Sequence, residues 1–108
     1  MRVVTVLCSA ALLSGCAFSS ASLYKREPMA SFTSTKAADI VSGCIATSLN
    51  GASQAVRVGE GHYAVTRSNS FGAPAVRYDV EQAGSGSAVQ VRSASPVGEG
   101  LDKVRGCL

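Results

Sequence analysis

The most reactive side chains in this 108-residue chain are four thiols, Cys8, Cys16, Cys44 and Cys107, and one imidazole, His62. Any Ser-His-Asp or Cys-His catalytic arrangement would have to use that single histidine. It follows a turn glycine and occupies a polar position of an alternating segment, so the expectation is an exposed surface histidine. Asp79 and Glu81 could share its sheet face. Arg57, Arg77 and Arg92 fall on polar positions of three different alternating segments, with Arg67 nearby. Gathered on one sheet face, their guanidinium groups could bind phosphate, carboxylate or a polyanionic glycan. Asp79 and Glu81 among them point instead to mixed cross-strand pairs. Gly59-Glu60-Gly61-His62-Tyr63-Ala64 matches the G-x-G-x-x-A dinucleotide fingerprint in letters only. The fingerprint needs a helix after the glycines, whose N-terminus receives the pyrophosphate, and alternating β sequence follows here, so a hairpin turn is expected.

The first thirteen residues have a different character. Met1-Arg2 gives a positive start, and Val3 to Leu13 is a mostly apolar run of eleven residues. That length lies within the roughly 7–15 residues of a secretory h-region, and a bilayer span needs roughly 18 or more. The run ends in Leu13-Ser14-Gly15-Cys16. Here the sequence resembles bacterial lipoproteins, whose lipobox is a leucine, two small residues and a cysteine; all four positions match, and the likeness covers only residues 1–16. The resemblance implies a signal peptide over residues 1–15, a diacylglyceryl group on the Cys16 sulfur, cleavage before Cys16 and acylation of the new amino terminus. Two or three acyl chains would anchor the protein firmly to a membrane, where one chain holds only weakly. Ala17 and Phe18 follow the cysteine, and by the same resemblance the lack of aspartate there favours the outer membrane over retention at the inner one.

Processing would change the cysteine count. Cys8 leaves with the signal peptide and Cys16 carries lipid, so Cys44 and Cys107 remain. In an oxidising periplasm they are expected to form one disulfide. It would close a loop of about 63 residues, which the chain-entropy model values at about 4 kcal/mol. The remaining two cysteines and one histidine make no four-ligand zinc set, and no C-x-x-C motif is present, so neither a metal nor a cofactor is expected.

Three kinds of element must position these groups. Residues 16–35, Ser/Thr-rich with Pro28 and no sustained periodicity, read as the lipidated cysteine and a flexible tether with a root-mean-square span of roughly 25 Å. Lys25-Arg26 in it could touch anionic headgroups. The domain proper is expected over residues 36–108. Lys36 to Asn50 reads as a helix with an apolar stripe at Ala37, Ile40, Val41, Cys44, Ile45, Ser48 and Leu49, capped by Ser34 or Thr35 and stopped at Asn50-Gly51. Gly43 in its middle could permit close approach to a sheet.

Four segments of period two follow: Val56/Val58, Tyr63/Val65, Val76/Tyr78/Val80 and Val89/Val91. Short breaks rich in Gly, Ser or Pro separate them. Such connections allow hairpins and exclude crossover helices. After Ser95-Pro96, Leu101, Val104 and Leu108 fit a short helix. The expected fold is therefore α+β: an N-terminal helix, a four-stranded antiparallel meander with one apolar and one polar face, a short C-terminal helix and one disulfide. The two helices would cover the apolar face, where Cys44 and Cys107 could meet.

Composition narrows the function. A net charge of +3 with no clustered basic face argues against a nucleic-acid partner. The chain lacks a paired-carboxylate motif, a nucleophile elbow, a metal set and the size for a deep cleft, so catalysis is not expected. What is expected is a small lipoprotein anchored to the outer membrane, facing the periplasm, that acts as a binding or accessory module of the cell envelope, with the polar sheet face or a sheet edge as the contact surface for an envelope protein. The alternative is an inhibitor of a hydrolase such as lysozyme, acting through the loop Ser68 to Pro74 or Ala83 to Ser87.

Overall fold

A computed structural model describes residues 19–49, 54–94 and 100–108. Five sequence features lie outside the described residues: the signal peptide, the lipidation site Cys16, the helix stop at Asn50-Gly51, Ser95-Pro96 and residues 97–99. The elements run α1 (Ser20–Tyr24), β1 (Ala30–Ser34), α2 (Ala38–Ser48), β2 (Val56–Gly59), β3 (His62–Ser68), β4 (Pro74–Ala83), β5 (Gly86–Ser93) and α3 (Leu101–Cys107). No described helix is long and apolar enough to cross a membrane.

The fold is α+β, and its sheet has five antiparallel strands in the order β1-β5-β4-β3-β2. The expected meander is present as β2 to β5. The expected strand count of four is corrected by β1, which pairs with β5 from Ala30↔Val91 to Ser34↔Ser87 and forms one edge. Its burial alternates along Ala-Ser-Phe-Thr-Ser, with Ala30 and Phe32 packed against the core and Ser31 and Thr33 outward. This strand and α1 both fall where a tether was expected, so residues 19–35 are part of the folded body. The approach of β1 to β5 needs a glycine: a Cβ on Gly86 would overlap the Ser34 carbonyl.

The apolar face of the sheet presents Val65, Val76, Tyr78, Val80, Val89 and Val91. Between β1 at one edge and β2 at the other, the chain crosses this face as α2, which packs on β3, β4 and β5. Ala38, Val41, Ser42 and Ile45 face inward, followed by Leu49. The expected stripe is thus rotated. Ile40 is 59% exposed, whereas Ala38 and Ser42 are buried, because small side chains let the helix axis sit close to the strands. Gly43 faces open space and mediates no close approach. The helix N-terminus is capped differently from expectation. Ala37 is the cap residue, and the Ala38 N–H donates to Oε1 of Gln82 on β4 at 2.8 Å. Ser34 is spent elsewhere: its hydroxyl donates to the Leu108 carbonyl and accepts from the Lys36 N–H.

α3 completes the cover with Val104 and Cys107 buried. Cys107 is bonded to Cys44 across a sequence separation of 63, with Cα atoms 5.7 Å apart. The expected disulfide therefore joins the two helices on the apolar side.

Candidate functional site

Alternation on β4 and β5 sends Arg77, Asp79, Gln90 and Arg92 to the other face. The register sets Arg77 opposite Arg92 and Asp79 opposite Gln90, and on the other side of β4 it sets His62 opposite Glu81. Residues two apart on a strand share a face, so the Arg77 guanidinium folds back along β4 onto Asp79. Nε of Arg77 donates to both carboxylate oxygens at 3.1 and 3.0 Å, and Nη2 donates to Oδ1 at 2.9 Å. Arg92 reaches diagonally from β5, with Nη1 3.2 Å from Oδ2. Nε2 of His62 stands 2.7 Å from Oδ1. Asp79 is 1% exposed, Arg77 7% and Arg92 8%. The polar face is therefore a closed charge cluster around one carboxylate.

Two guanidinium groups on one carboxylate leave positive charge over, and buried charge is tolerated only when it is paired and hydrogen-bonded. The segment covering the cluster supplies what is missing. Nη1 of Arg77 donates to the Ser20 carbonyl at 3.2 Å and to the Ser20 hydroxyl at 3.3 Å. Nε of Arg92 donates to the Arg26 carbonyl at 2.8 Å, and its Nη2 to Oε1 of Gln90 at 2.8 Å. The Tyr24 ring lies 4.6 Å from the Arg77 guanidinium carbon and 4.8 Å from that of Arg92, so its negative face meets both cations. Among the described residues no buried side-chain nitrogen or oxygen lacks a partner.

α1 itself is only five residues long. Ser19 caps it, its hydroxyl accepting the Ser22 N–H at 3.2 Å, and Leu23 is its one buried side chain. A segment this short has little helical stability of its own. What fixes it on the sheet is the pair of Ser20 acceptors for Arg77, the Tyr24 ring against both guanidinium groups and the buried Leu23, with the Arg26 carbonyl just beyond the helix receiving Arg92.

The expectation of an exposed His62 does not hold. Its side chain is 17% exposed, and both ring nitrogens face carboxylates: Nε2 faces Asp79, and Nδ1 lies 3.6 Å from Oε1 of Glu81. The Tyr24 ring centroid is 5.7 Å from its own. The nearby hydroxyls of Ser20 and Thr66 bond to each other at 2.9 Å.

The expected anion-binding face of Arg57, Arg77 and Arg92 is not assembled. Arg77 and Arg92 meet, but Asp79, Ser20, Gln90 and the Arg26 carbonyl occupy their donors. Arg57 pairs with Tyr63, which pairs with Val80, so it belongs to the opposite face at the sheet edge, with Nε donating to its neighbour Gly59 at 3.3 Å. A register shift between Arg57 and Gly59 is part of that hairpin. The Gly59-Glu60-Gly61 segment is the hairpin turn expected from its sequence, with Gly61 at φ 63°. Among the described residues no group of three or more His, Cys, Asp or Glu side chains is placed to hold a metal ion.

Sequence reading placed Arg77, Asp79 and Arg92 on one face but missed what covers them. The available signal was slight: Ser19-Ser20 as a cap and Leu23-Tyr24 as a single apolar-aromatic pair. Comparison with protein-family models, curated proteins and solved structures finds no match to this chain.

Proposed function

We propose that the protein is a small bacterial envelope lipoprotein, anchored through Cys16 to the outer membrane and facing the periplasm, that works as a binding or accessory module and not as an enzyme. One conjunction carries this reading. A lipobox cysteine precedes a domain whose two other mature cysteines are bonded to each other, Cys44 to Cys107. Such a bond belongs to an oxidising compartment, which is where a lipobox would send the chain.

Of the two contact surfaces expected from sequence, the polar sheet face is covered by α1 where it crosses β4 and β5. We place the contact surface at the edge strand β2, where all four residues are exposed and Val56 and Val58 stand 54% and 48% open. An edge strand presents unpaired backbone donors and acceptors that an extended segment of an envelope protein can complete.

Crosslinking in intact cells followed by affinity capture of the full-length lipidated protein tests the reading. It expects a reproducible envelope-protein partner that is lost in a Val58→Lys variant. Recovery of the protein alone, or of a partner indifferent to that substitution, would count against it.

A further inference from the structure

We infer that one end of the sheet rests on the phospholipid surface, with the Phe71 ring entering the interface between headgroups and acyl chains; the inference rests on the lipidation of Cys16 proposed above. Only Ala17 and Phe18 separate Cys16 from Ser19, the cap residue of α1. Three residue steps span at most about 11 Å. Because α1 is folded onto the sheet, the domain cannot float at the end of a long tether, and the point where the chain leaves it must lie close to the lipid.

That point lies at the end of the sheet where β3 turns into β4. The Ser20 hydroxyl bonds to Thr66, two residues before β3 ends at Ser68. β3 then leads into the hairpin 69–73, and its tip carries Phe71, 93% exposed. This loop is closed on itself. Oδ1 of Asn69 accepts the N–H groups of Phe71 and Ala73 at 2.9 and 3.1 Å, the Asn69 N–H donates to the Ala73 carbonyl, and the Gly72 N–H donates to the Asn69 carbonyl. The ring is thus presented by an ordered turn, so little further freedom is lost when it is buried.

Met29 and the neighbouring charges lie at the same end, although Ile40 and Val58 are also exposed, at the other. Met29, 38% exposed, enters the sheet at the same end through its N–H to the Val91 carbonyl, and Nη1 of Arg26 reaches the Ala94 carbonyl there. Near this end lie exposed Lys25 and Arg26 against Glu27, with half-buried Arg67, whereas towards the far end lie Asp39, Glu60 and Glu81 against Lys36 and Arg57; Asp102, Lys103 and Arg105 lie on α3. An anionic headgroup layer attracts the first and repels the second.

The chain contains no tryptophan, so Phe71→Trp and Glu60→Trp each create a single reporter, at the two ends of the sheet. Full-length lipidated variants are placed in vesicles of phosphatidylethanolamine and phosphatidylglycerol with brominated acyl chains. The position-71 reporter is expected to shift to the blue and lose emission to bromine, while the position-60 reporter does neither. The N-terminal mass of the same samples separates the two ideas. An unlipidated Cys16 would remove the anchor itself. A lipidated Cys16 with equal, unquenched emission at both positions would overturn the docking alone. Phe71→Ser removes no packing. If it left the protein's position on vesicles unchanged but abolished inhibition of a lysozyme by the wild-type protein, the tip would be an inhibitory loop and the docking proposal would fall.

Discussion

On one face of the sheet, six valine and tyrosine side chains meet Val41, Ile45, Leu49 and Val104 of two helices joined by a disulfide. On the other face, one carboxylate gathers two guanidinium groups and an imidazole under a five-residue helix. The first arrangement is made of many weak, non-directional contacts, so loss of one side chain removes a share of the total. The second is directional and centres on Asp79, so removal of that one group leaves several others unpaired. The apolar face holds the domain together, and the charged face decides where the N-terminal segment lies. If Cys16 is the anchor, that segment couples the folded body to the membrane.

The contrast can be broken first on the apolar side. Replacing Cys44 and Cys107 by alanine should lower stability by about 4 kcal/mol, the loop-closure value for a crosslink of this span. Urea unfolding of the pair against wild type measures it, and a loss below 1 kcal/mol would mean that the two helices are held by packing alone. On the charged side, Asp79→Ala should cost about 3 kcal/mol, the lower part of the range for breaking a buried ion pair. The low value follows from the shortness of α1, which can lift and let water reach Arg77 and Arg92. The same variant should become sensitive to trypsin at Lys25 and Arg26 while the Cys44–Cys107 bond stays intact. Equal trypsin resistance in variant and wild type would show that α1 is held by something other than the cluster.

His62→Ala sharpens the comparison at a smaller scale. It removes one hydrogen bond to a charged group, at about 1.5 kcal/mol, whereas an exposed histidine would give almost no change. Thermal unfolding distinguishes the two. The smallest effect has the opposite sign. Gly43→Ala meets nothing within 4 Å, so helix propensity alone should raise stability, by about 1 kcal/mol at most. A loss of stability there would imply that α2 packs more closely on that side than the structure shows.

How far the sequence could be read follows from the same contrast. Val76-x-Tyr78-x-Val80 and Val89-x-Val91 announce strands because bulky apolar residues alternate with polar ones. The Cys44–Cys107 pair was legible because, once the expected processing removes Cys8 and lipidates Cys16, these two thiols are left to bond each other in an oxidising compartment. β1 was missed because Ala30 and Ser34 are small and Phe32 is its only bulky inward residue. The phase of α2 was misjudged because Ile40 outweighs Ala38 and Ser42 in any hydrophobic count, although the small residues are the ones that let the helix approach. The burial of Arg77, Asp79 and Arg92 could not be read from β4 and β5 at all. It depends on α1 and the turn after it, a segment too short for periodicity to reveal and held in part by the backbone carbonyls of Ser20 and Arg26, which every sequence possesses.

The central claim is that this body is lipid-anchored and oxidised outside the cytosol. The most direct measurement is the intact mass of the native protein extracted from bacterial membranes, before and after thiol reduction. The account predicts a polypeptide that begins at Cys16, carries diacylglycerol and an amide-linked acyl chain, and gains two hydrogens on reduction. A species beginning at Met1, without lipid and with both Cys44 and Cys107 already reduced, would contradict it.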